Sequence, residues 1–195
     1  MEISLDLIKK LRIQTGAGMM DCKKFLTQSK GDYDKAIELF RKEGQKIASK
    51  KSTRETQSGL VDSYIHPGNR VGVLINVACE TDFVAQNSEF KQLVHDLAMH
   101  VAAFDPQYKE PQDIPADILD KEKDIYREQL KKEKKPAKMI EKILEGKLKK
   151  YYTEICLMEQ PYLKDDKKTV RQYLTENIAK IGENIQIRSF IRYSL

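Results

Sequence analysis

The chain has 195 residues, of which 40% are hydrophobic and 33% are charged, and its formal charge is +5. Apolar residues recur at regular spacing, which excludes an intrinsically disordered chain and predicts a sizeable core. No stretch approaches the roughly 18 consecutive apolar residues of a membrane-spanning helix, and the N-terminus lacks the basic and apolar regions of a secretory signal. The three cysteines are odd in number and far apart, which favours a cytoplasmic location over a disulfide framework or a zinc site.

The first 44 residues predict three short helices, because apolar residues recur there at helical spacing. Gly16, Gly31 and Gly44 stand where each helix would end. Three helices of this size form a compact bundle that resembles the ubiquitin-associated fold, so we expect residues 1–44 to be a helical head. Residues 45–58 are polar, which predicts a linker. The apolar helix positions are Leu7, Ile8 and Leu11, then Met19, Cys22, Phe25 and Leu26, then Tyr33, Ile37 and Phe40.

After the linker the spacing of apolar residues changes from helical to alternating. Two strand-like runs flank the turn residues His66-Pro67-Gly68-Asn69, which predicts a β-hairpin. The strand after the turn places five residues on one face: Val71, Val73, Ile75, Val77 and Cys79. A helix at 87–104 follows, with an apolar stripe formed by Phe90, Leu93, Val94, Leu97, Ala98 and Val101.

The C-terminal half predicts a helical hairpin, one more helix and a last strand. The hairpin spans about 116–152, with helices at about 116–134 and 136–152 and Pro136 at the first position of the second helix. The next helix closes at Gly182, and the strand runs from Ile185 to Tyr193. Residues 59–195 therefore predict an α+β core, in which helices cover an antiparallel sheet behind the helical head.

The chain shows no pattern of a catalytic or metal site. His95 and His100 are five residues apart on a predicted helix and point roughly 140° apart, so they cannot share a metal. The segment Thr15–Gly18 follows a helix and precedes no Lys-Ser/Thr pair, which excludes a phosphate-binding loop. No serine or cysteine lies in a nucleophile-elbow context. We therefore expect a protein that is not an enzyme and that needs no cofactor and no metal.

Two exposed segments are candidates for binding a partner. Thr81 follows the central strand and suits the cap of a short helical turn, and Phe83 stands beside the acidic Asp82 where a loop should project. An aromatic ring next to a carboxylate can insert into a partner and bring a charge to the same point. The alternative is that Phe83 belongs to the core. His66 at the hairpin tip is the second candidate, and its alternative is an ordinary solvated histidine.

Three segments resemble the motifs of the elongation factor Ts family, found in bacterial translation. We call Thr15–Lys24 (TGAGMMDCKK) the first signature, Cys79–Ala85 (CETDFVA) the second, and Lys180–Ile185 (KIGENI) the third. Their order and spacing match the family, and the resemblance covers essentially the whole chain. Longer members carry the sheet core twice, whereas this chain resembles a short form with a single core.

The resemblance implies a guanine nucleotide exchange factor of protein synthesis that promotes GDP release from the GTPase elongation factor Tu. The head would dock on the nucleotide-binding domain of the partner. The second and third signatures would intrude beside its magnesium and phosphate site, and the hairpin tip would contact a second domain. The residues implied to bind the partner are Arg12, Met19, Met20 and Lys23 in the head, His66 at the tip, Thr81, Asp82, Phe83 and Val84 in the second signature, and Ile181 and Gly182 in the third.

The single core also predicts self-association. In longer family members the second signature and the histidine contact belong to different copies of the core. The central strand still carries Leu74 and Ala78 on its second face, and the last strand places Phe190 opposite its isoleucines. Helices can cover one face of a sheet, and a second sheet can cover the other. We therefore expect a two-fold symmetric homodimer that forms a two-plus-two complex with elongation factor Tu.

Two other classes of function stay open from the sequence. Residues 131–150 hold nine lysines and three glutamates, a local charge of +6, and such a segment can bind RNA or form a solvated helix face. An RNA-binding protein should interleave aromatic residues with basic ones. Only Tyr151 and Tyr152 do so, at the end of the run, so no direct nucleic-acid contact is expected. A ubiquitin-type adaptor would explain the head but not residues 45–195.

Overall fold

The computed structural model describes residues 3–133 and 136–195. Its strands are β1 (Ser58–Ile65), β2 (Val71–Cys79), β3 (Pro161–Tyr162), β4 (Asp165–Thr169) and β5 (Ile185–Ser194). Its α-helices are α1 (Leu5–Thr15), α2 (Met19–Gln28), α3 (Tyr33–Lys51), α4 (Asp82–Ala85), α5 (Ser88–Phe104), α6 (Ala116–Lys132), α7 (Ala137–Ile155) and α8 (Val170–Ile181). The fold is α+β, as predicted, with an antiparallel sheet in the order β1-β2-β5 and a separate pair, β3-β4.

The first helix begins and ends where its capping residues predict, whereas α2 ends at Gln28, three residues before the predicted Gly31. Ser4 accepts a hydrogen bond from the backbone N–H of Leu7 (3.3 Å) and so caps the start of α1. Gly16 ends this helix with a φ of 68°, a conformation that glycine adopts without strain, and donates its N–H to the carbonyl of Arg12 (2.8 Å). The helices α1, α2 and α3 pack around a shared apolar cluster of Ile8, Leu11, Cys22, Phe25, Leu26 and Ala36.

The third helix is longer than the sequence suggested. It continues through Gly44 to Lys51, so the prediction that it ends at Gly44 is wrong. Gly44 is buried, and a side-chain carbon added there would lie 3.6 Å from the Cβ of Ala179. That distance is an ordinary van der Waals contact, so Gly44 lies where α3 meets α8 and does not end the helix. A separately folding head at 1–44, a linker at 45–58 and a core at 59–195 remain predictions.

The chain divides into two compact units. The first unit comprises Met1–Val61, Asn76–Val94 and Gln172–Arg188, and the second comprises Asp62–Ile75, His95–Arg171 and Ser189–Leu195. Each is described by itself below. Among the described residues, no helix combines the length and apolar composition that a membrane span requires.

The central strand shows the predicted alternation at Leu74 but not at Ala78, which was predicted on the uncovered second face and is only 6% exposed. Val73, Ile75 and Val77 are at most 2% exposed, whereas Leu74 between them is 49% exposed. In β5 the side chains of Ile185 and Ile187 are buried. These residues form a buried sheet face because successive side chains of a strand point to opposite sides.

The helical hairpin of the second unit is present as predicted. Its second helix begins at Ala137 rather than at Pro136, which precedes it. Residues 134–135, which the prediction placed at the end of the first helix and in the turn, lie outside the described residues. At the other end of the hairpin, an apolar cluster is formed by Ile114, Ile155 and Cys156, with Tyr108, Leu119, Tyr151 and Tyr152 packed against it.

The short pair β3-β4 was not predicted from the sequence. It pairs Pro161 with Thr169 and Tyr162 with Asp165. A two-residue strand is too short to show alternation. Hydrogen bonds from the end of β3 and the residue after it instead fix this pair on α5 in the second unit: the Tyr162 hydroxyl donates to Asp96 (3.1 Å), and the Leu163 N–H donates to Nδ1 of His100 (3.2 Å).

His100 lies at the centre of a buried polar cluster in the second unit. Its side chain is fully buried, and its Nε2 lies 3.0 Å from Oε1 of Gln160, which is 1% exposed. Because Nδ1 already accepts the Leu163 N–H, the ring is neutral and Nε2 carries the proton. The Gln160 amide donates in turn to the carbonyl of Glu154 (2.8 Å). Burial lowers the pKa of His100 below its ordinary value of 6.5.

Candidate partner-binding site

The second signature presents Phe83 to solvent. Thr81 caps α4, because its side chain accepts a hydrogen bond from the Val84 N–H (3.3 Å), which confirms the predicted cap. Neighbouring residues of a helical turn point about 100° apart, so Val84 faces inward and is 6% exposed while Phe83 faces outward and is 84% exposed. A ring of this size that remains in water adds little to the core, which leaves it available for a partner.

Glu183 of the third signature holds the residues that precede Phe83. One carboxylate oxygen accepts the backbone N–H groups of Glu80 (3.0 Å) and Thr81 (3.1 Å). The other accepts the hydroxyl of Thr81 (2.7 Å). Three donors converge on one side chain, and hydrogen bonds to an ionised acceptor are stronger than neutral ones. The second and third signatures therefore form one connected structure.

A second carboxylate makes the opposite connection. Glu80 accepts the backbone N–H of Asn184 (2.6 Å) and, through its other oxygen, a hydrogen bond from Arg54 (3.4 Å). The Asn184 N–H, followed by Arg54, lowers the pKa of Glu80 below its ordinary value of 4.5. Burial raises the pKa of the neighbouring Cys79 thiol, and the charge of Glu183 raises it further. This thiol therefore stays protonated near neutral pH and is a poor nucleophile.

The ends of both loops are fixed to the segment between α3 and β1. The hydroxyl of Ser58 donates a hydrogen bond to the carboxylate of Asp82. The Lys51 ammonium donates to the carbonyl of Gly182, whose φ of 85° suits glycine. The side chain of Asn184 donates to the carbonyl of Arg54 (2.8 Å). Residues 51–58 are thus hydrogen-bonded to both signatures.

Gly59 shows how closely the backbones approach beside this loop. A side-chain carbon at this position would lie 2.4 Å from the carbonyl oxygen of Val77, and the φ of 154° is one that other residues rarely adopt. Any substitution must therefore push β1 away from β2. Since Ser58 precedes this glycine and bonds to Asp82, the close approach also sets the position of the second signature.

The first signature contacts the third. The side chain of Lys180 packs on Gly16, where an added side-chain carbon would lie 3.1 Å from the lysine Cε. The Lys180 ammonium forms an ion pair with Glu89 (2.8 Å). All three signatures are therefore linked within the first unit, although they are far apart in the sequence.

The predicted partner-binding residues of the first unit differ in their exposure to solvent. In the first unit, Arg12, Met20 and Lys23 are exposed and Met19 is half-buried. In the same unit, Thr81, Asp82 and Gly182 are exposed, Ile181 is half-buried and Val84 is buried. Val84 therefore anchors the loop in the isolated chain, and its contact with a partner stays a prediction.

His66 belongs to the second unit. It is exposed, and its Nδ1 lies 3.1 Å from the hydroxyl of Tyr64. The ring of Tyr64 also packs edge-on against His95, which contacts Asp62 (3.1 Å). These contacts orient His66 at the hairpin tip. Its role toward a partner stays a prediction, as do the roles of the residues in the first unit.

Sequence reasoning missed the residues that hold the loop. Glu80, Glu183 and Asn184 lie inside the second and third signatures, but no role was inferred for them. Thr81 and Glu183 are 102 residues apart, and no local pattern pairs residues at such a separation. A carboxylate directly after a loop glycine, as in Gly182-Glu183, was the available signal, because loop backbone N–H groups need acceptors.

The basic segment gives little support to the RNA-binding alternative. Lys131, Lys132, Lys149 and Lys150 are exposed, as a solvated helix face requires. Tyr151 and Tyr152, the two aromatic residues that could stack on bases, pack instead against the apolar cluster at the base of the hairpin. Among the described residues, no group of histidine, cysteine and acidic side chains could hold a metal ion.

Comparisons with known proteins agree with the three signatures. The family model "Elongation factor TS" matches residues 8–195. Elongation factor Ts of Pseudothermotoga lettingae is 51% identical over 98% of this chain and 97% of its own length. Those of Geobacter metallireducens and Fervidobacterium nodosum are 52% and 50% identical over the whole chain, covering 90% and 99% of their own lengths. The chain therefore belongs to the elongation factor Ts family of translation elongation factors.

Proposed function

We propose that this chain is a guanine nucleotide exchange factor that binds elongation factor Tu and promotes release of its GDP. The observation that carries the proposal is Phe83, which is 84% exposed next to Asp82 on a loop with fixed ends. A ring that projects from a loop with fixed ends can enter a partner without a further entropic cost of ordering that loop. The family membership supports the choice of partner.

The physical basis is competition between two ligands for one GTPase. GDP is held by contacts to its phosphates and by Mg²⁺, whose octahedral geometry tolerates little distortion. Insertion of the Asp82–Phe83 loop beside that site favours a distorted arrangement in which GDP binds weakly. Thermodynamic linkage requires that bound GDP weakens binding of the factor by the same ratio by which the factor weakens binding of GDP. The factor therefore binds the empty GTPase best and needs neither covalent chemistry nor a cofactor.

The other predicted contacts have distinct roles in this proposal. The exposed head residues Arg12, Met20 and Lys23 dock on the nucleotide-binding domain and supply affinity. Ile181 and Gly182 extend the surface beside Phe83. His66 contacts a second domain of elongation factor Tu. Mutations should therefore separate affinity from exchange: the docking residues determine how tightly the complex forms, and the loop determines how strongly the magnesium site is distorted.

The test is GDP release from elongation factor Tu loaded with a fluorescent nucleotide. Catalytic amounts of this protein should accelerate release, and excess free GDP should weaken the complex. A different GTPase loaded in the same way is the control and should not respond. Unchanged release at saturating protein would show that the proposed function is wrong.

For the assembly, we propose the two-fold homodimer that the single core predicts, with each elongation factor Tu contacting both chains. In the second unit, Ile65, Leu74 and Tyr193 are 58%, 49% and 68% exposed and line an apolar groove of about 500 Å³. A second copy of the same sheet would cover such a surface by face-to-face packing.

Leu74→Asp tests the dimer, because it places a charge in the groove. Light scattering should show loss of the dimer mass, and exchange activity should fall with it. Ile125→Asp on the helical hairpin is the matched control, since Ile125 is also 49% exposed. A monomeric mass for the unmodified protein at micromolar concentration, together with full exchange activity, would refute the dimer.

A further inference from the structure

The hydrogen bonds between the second and third signatures run in both directions. Glu183 accepts from the backbone of Glu80 and Thr81, and Glu80 accepts from the backbone of Asn184. Each loop thus supplies a carboxylate to the other. We call these four residues the reciprocal clamp.

We propose that Glu183 is a positioning residue for nucleotide exchange: it holds the second signature in the conformation that projects Phe83. This inference rests on the proposed exchange function. It assigns a role to a residue whose hydrogen bonds go to Glu80 and Thr81 and not to Phe83 itself. Glu183 acts through Thr81, which both donates its hydroxyl to Glu183 (2.7 Å) and caps the turn that carries Phe83.

A carboxylate is the side chain that this position requires. The three groups that converge on Glu183 are all donors, namely two backbone N–H groups and one hydroxyl. An ionised carboxylate is an acceptor only and has two oxygens to share among them. A glutamine would replace one oxygen with an NH₂ group. If this group faced the paired N–H groups, they would lose their acceptor, and if it faced the Thr81 hydroxyl, the hydroxyl would have to accept instead of donate. In both orientations the three donors lose the charge that strengthens their hydrogen bonds.

The loss should affect the loop conformation more than the fold. Thr81 and Asp82 are exposed, so water can replace the lost acceptor at modest cost. Val84 is buried and keeps the turn attached to the core. Without the clamp, the segment before Phe83 gains conformational freedom, and binding must then order it again at an entropic cost.

The clamp also joins the two loops that are predicted to contact the partner. Glu183 directly follows Gly182, whose carbonyl accepts from Lys51, and Asn184 bonds to the carbonyl of Arg54. The third signature is therefore hydrogen-bonded to Lys51 and Arg54 as well as to the second signature. Ile181, Gly182 and Phe83 are presented as one surface.

The experiment compares Glu183→Gln, Phe83→Ala and the double variant in GDP release from elongation factor Tu. Glu183→Gln should lower the maximal release rate by about tenfold, equivalent to the loss of one charge-assisted hydrogen bond. The half-saturating concentration should change much less, because the docking residues of the head remain. In the Phe83→Ala background the same change should have no further effect, since there is no ring left to position.

Glu141→Gln is the matched control, because Glu141 is an exposed carboxylate with its own partner, Arg127 (3.3 Å). It should leave release unchanged. Amide exchange of Glu80 and Thr81 should accelerate in folded Glu183→Gln, and Glu183→Asp, which keeps the charge on a shorter side chain, should have an intermediate rate.

Three outcomes would overturn the inference. One is an equal loss of rate in the presence and absence of Phe83, which would make Glu183 an independent contact. Another is an unchanged rate in Glu183→Gln. The third is a failure of both Glu183 variants to fold, which would make the residue structural. If the unmodified protein does not accelerate GDP release, the proposed function itself fails, and this outcome is distinct from the other three.

Discussion

The Phe83 loop and the His100 cluster use polar groups for opposite purposes. Around Phe83, hydrogen bonds donated to Glu183 by Glu80 and Thr81 hold the turn that keeps an apolar ring in water. Around His100, a hydrogen bond donated to Gln160 and one accepted from Leu163 let polar atoms lie inside the protein. In the first region the hydrogen bonds hold a residue at the surface, and in the second region the hydrogen bonds themselves are buried.

Mutations in the two regions should therefore change different properties, namely stability in the buried cluster and function at the loop. A lost hydrogen bond in the buried cluster leaves a polar group without water, at a cost of about 1–3 kcal/mol. A lost hydrogen bond at the loop is replaced by solvent, so the effect should appear in function instead. Among the described residues, every buried side-chain nitrogen and oxygen has a hydrogen-bond partner, which makes the buried cluster sensitive to any deletion.

A pair of phenylalanine substitutions should separate the two behaviours most strongly. Phe90→Ala removes a ring that is 0% exposed, and it should lower the free energy of unfolding by about 3–5 kcal/mol. Phe83→Ala should change it by less than about 0.5 kcal/mol but reduce GDP release about tenfold or more, the cost of truncating an interface anchor. Urea unfolding and the release assay measure both. If Phe83→Ala unfolds the protein, Phe83 is a core residue after all.

Gln160→Ala should have the next largest effect. It leaves Nε2–H of His100 and the carbonyl of Glu154 without partners, so the free energy of unfolding should fall by about 3 kcal/mol. Exchange activity should persist at temperatures where the variant is folded. Gln129→Ala on the exposed hairpin is the control and should be nearly neutral. Equal stability of the two variants would contradict the buried network.

The stability of the protein should depend on pH through His100. Its pKa is lowered in the folded state, so as pH falls through the unfolded value of about 6.5 toward the folded value, the unfolded chain binds a proton that the folded chain does not. The free energy of unfolding should therefore decrease as pH falls below 6.5, with a slope of up to about 1.4 kcal/mol per pH unit. His100→Gln should remove this component, and His66→Gln should retain it. Urea unfolding at a series of pH values distinguishes them.

Glu80 should give the smallest effect, in a more acidic range. Its lowered pKa means that the stabilisation is present above pH 4.5 and is lost as pH falls from 4.5 through the pKa of the folded state. The difference in unfolding free energy between the unmodified protein and Glu80→Gln should be constant near neutral pH and shrink below 4.5. A pH-independent difference would contradict the ionised clamp.

Local sequence patterns determined much of the fold. Apolar spacing located α5 and the strands of the hairpin, and capping residues such as Ser4 and Thr81 marked the starts of helices because those effects act within one turn. The same logic failed at Gly44, where a glycine that resembled a helix end instead lies against Ala179 of another helix. The short pair β3-β4 is fixed by contacts with α5.

The sequence by itself determined the family, through three motifs, and the candidate loop around Asp82 and Phe83, through an acidic and an aromatic residue after a strand. Only the tertiary structure decided how that loop is held and which polar residues are buried. Thr81 meets Glu183 across 102 residues, and His100 meets Gln160 across 60. The buried pair arises because polar groups removed from water need partners, and the exposed pair arises because an ionised carboxylate binds donors that the fold brings together. No local periodicity encodes either choice.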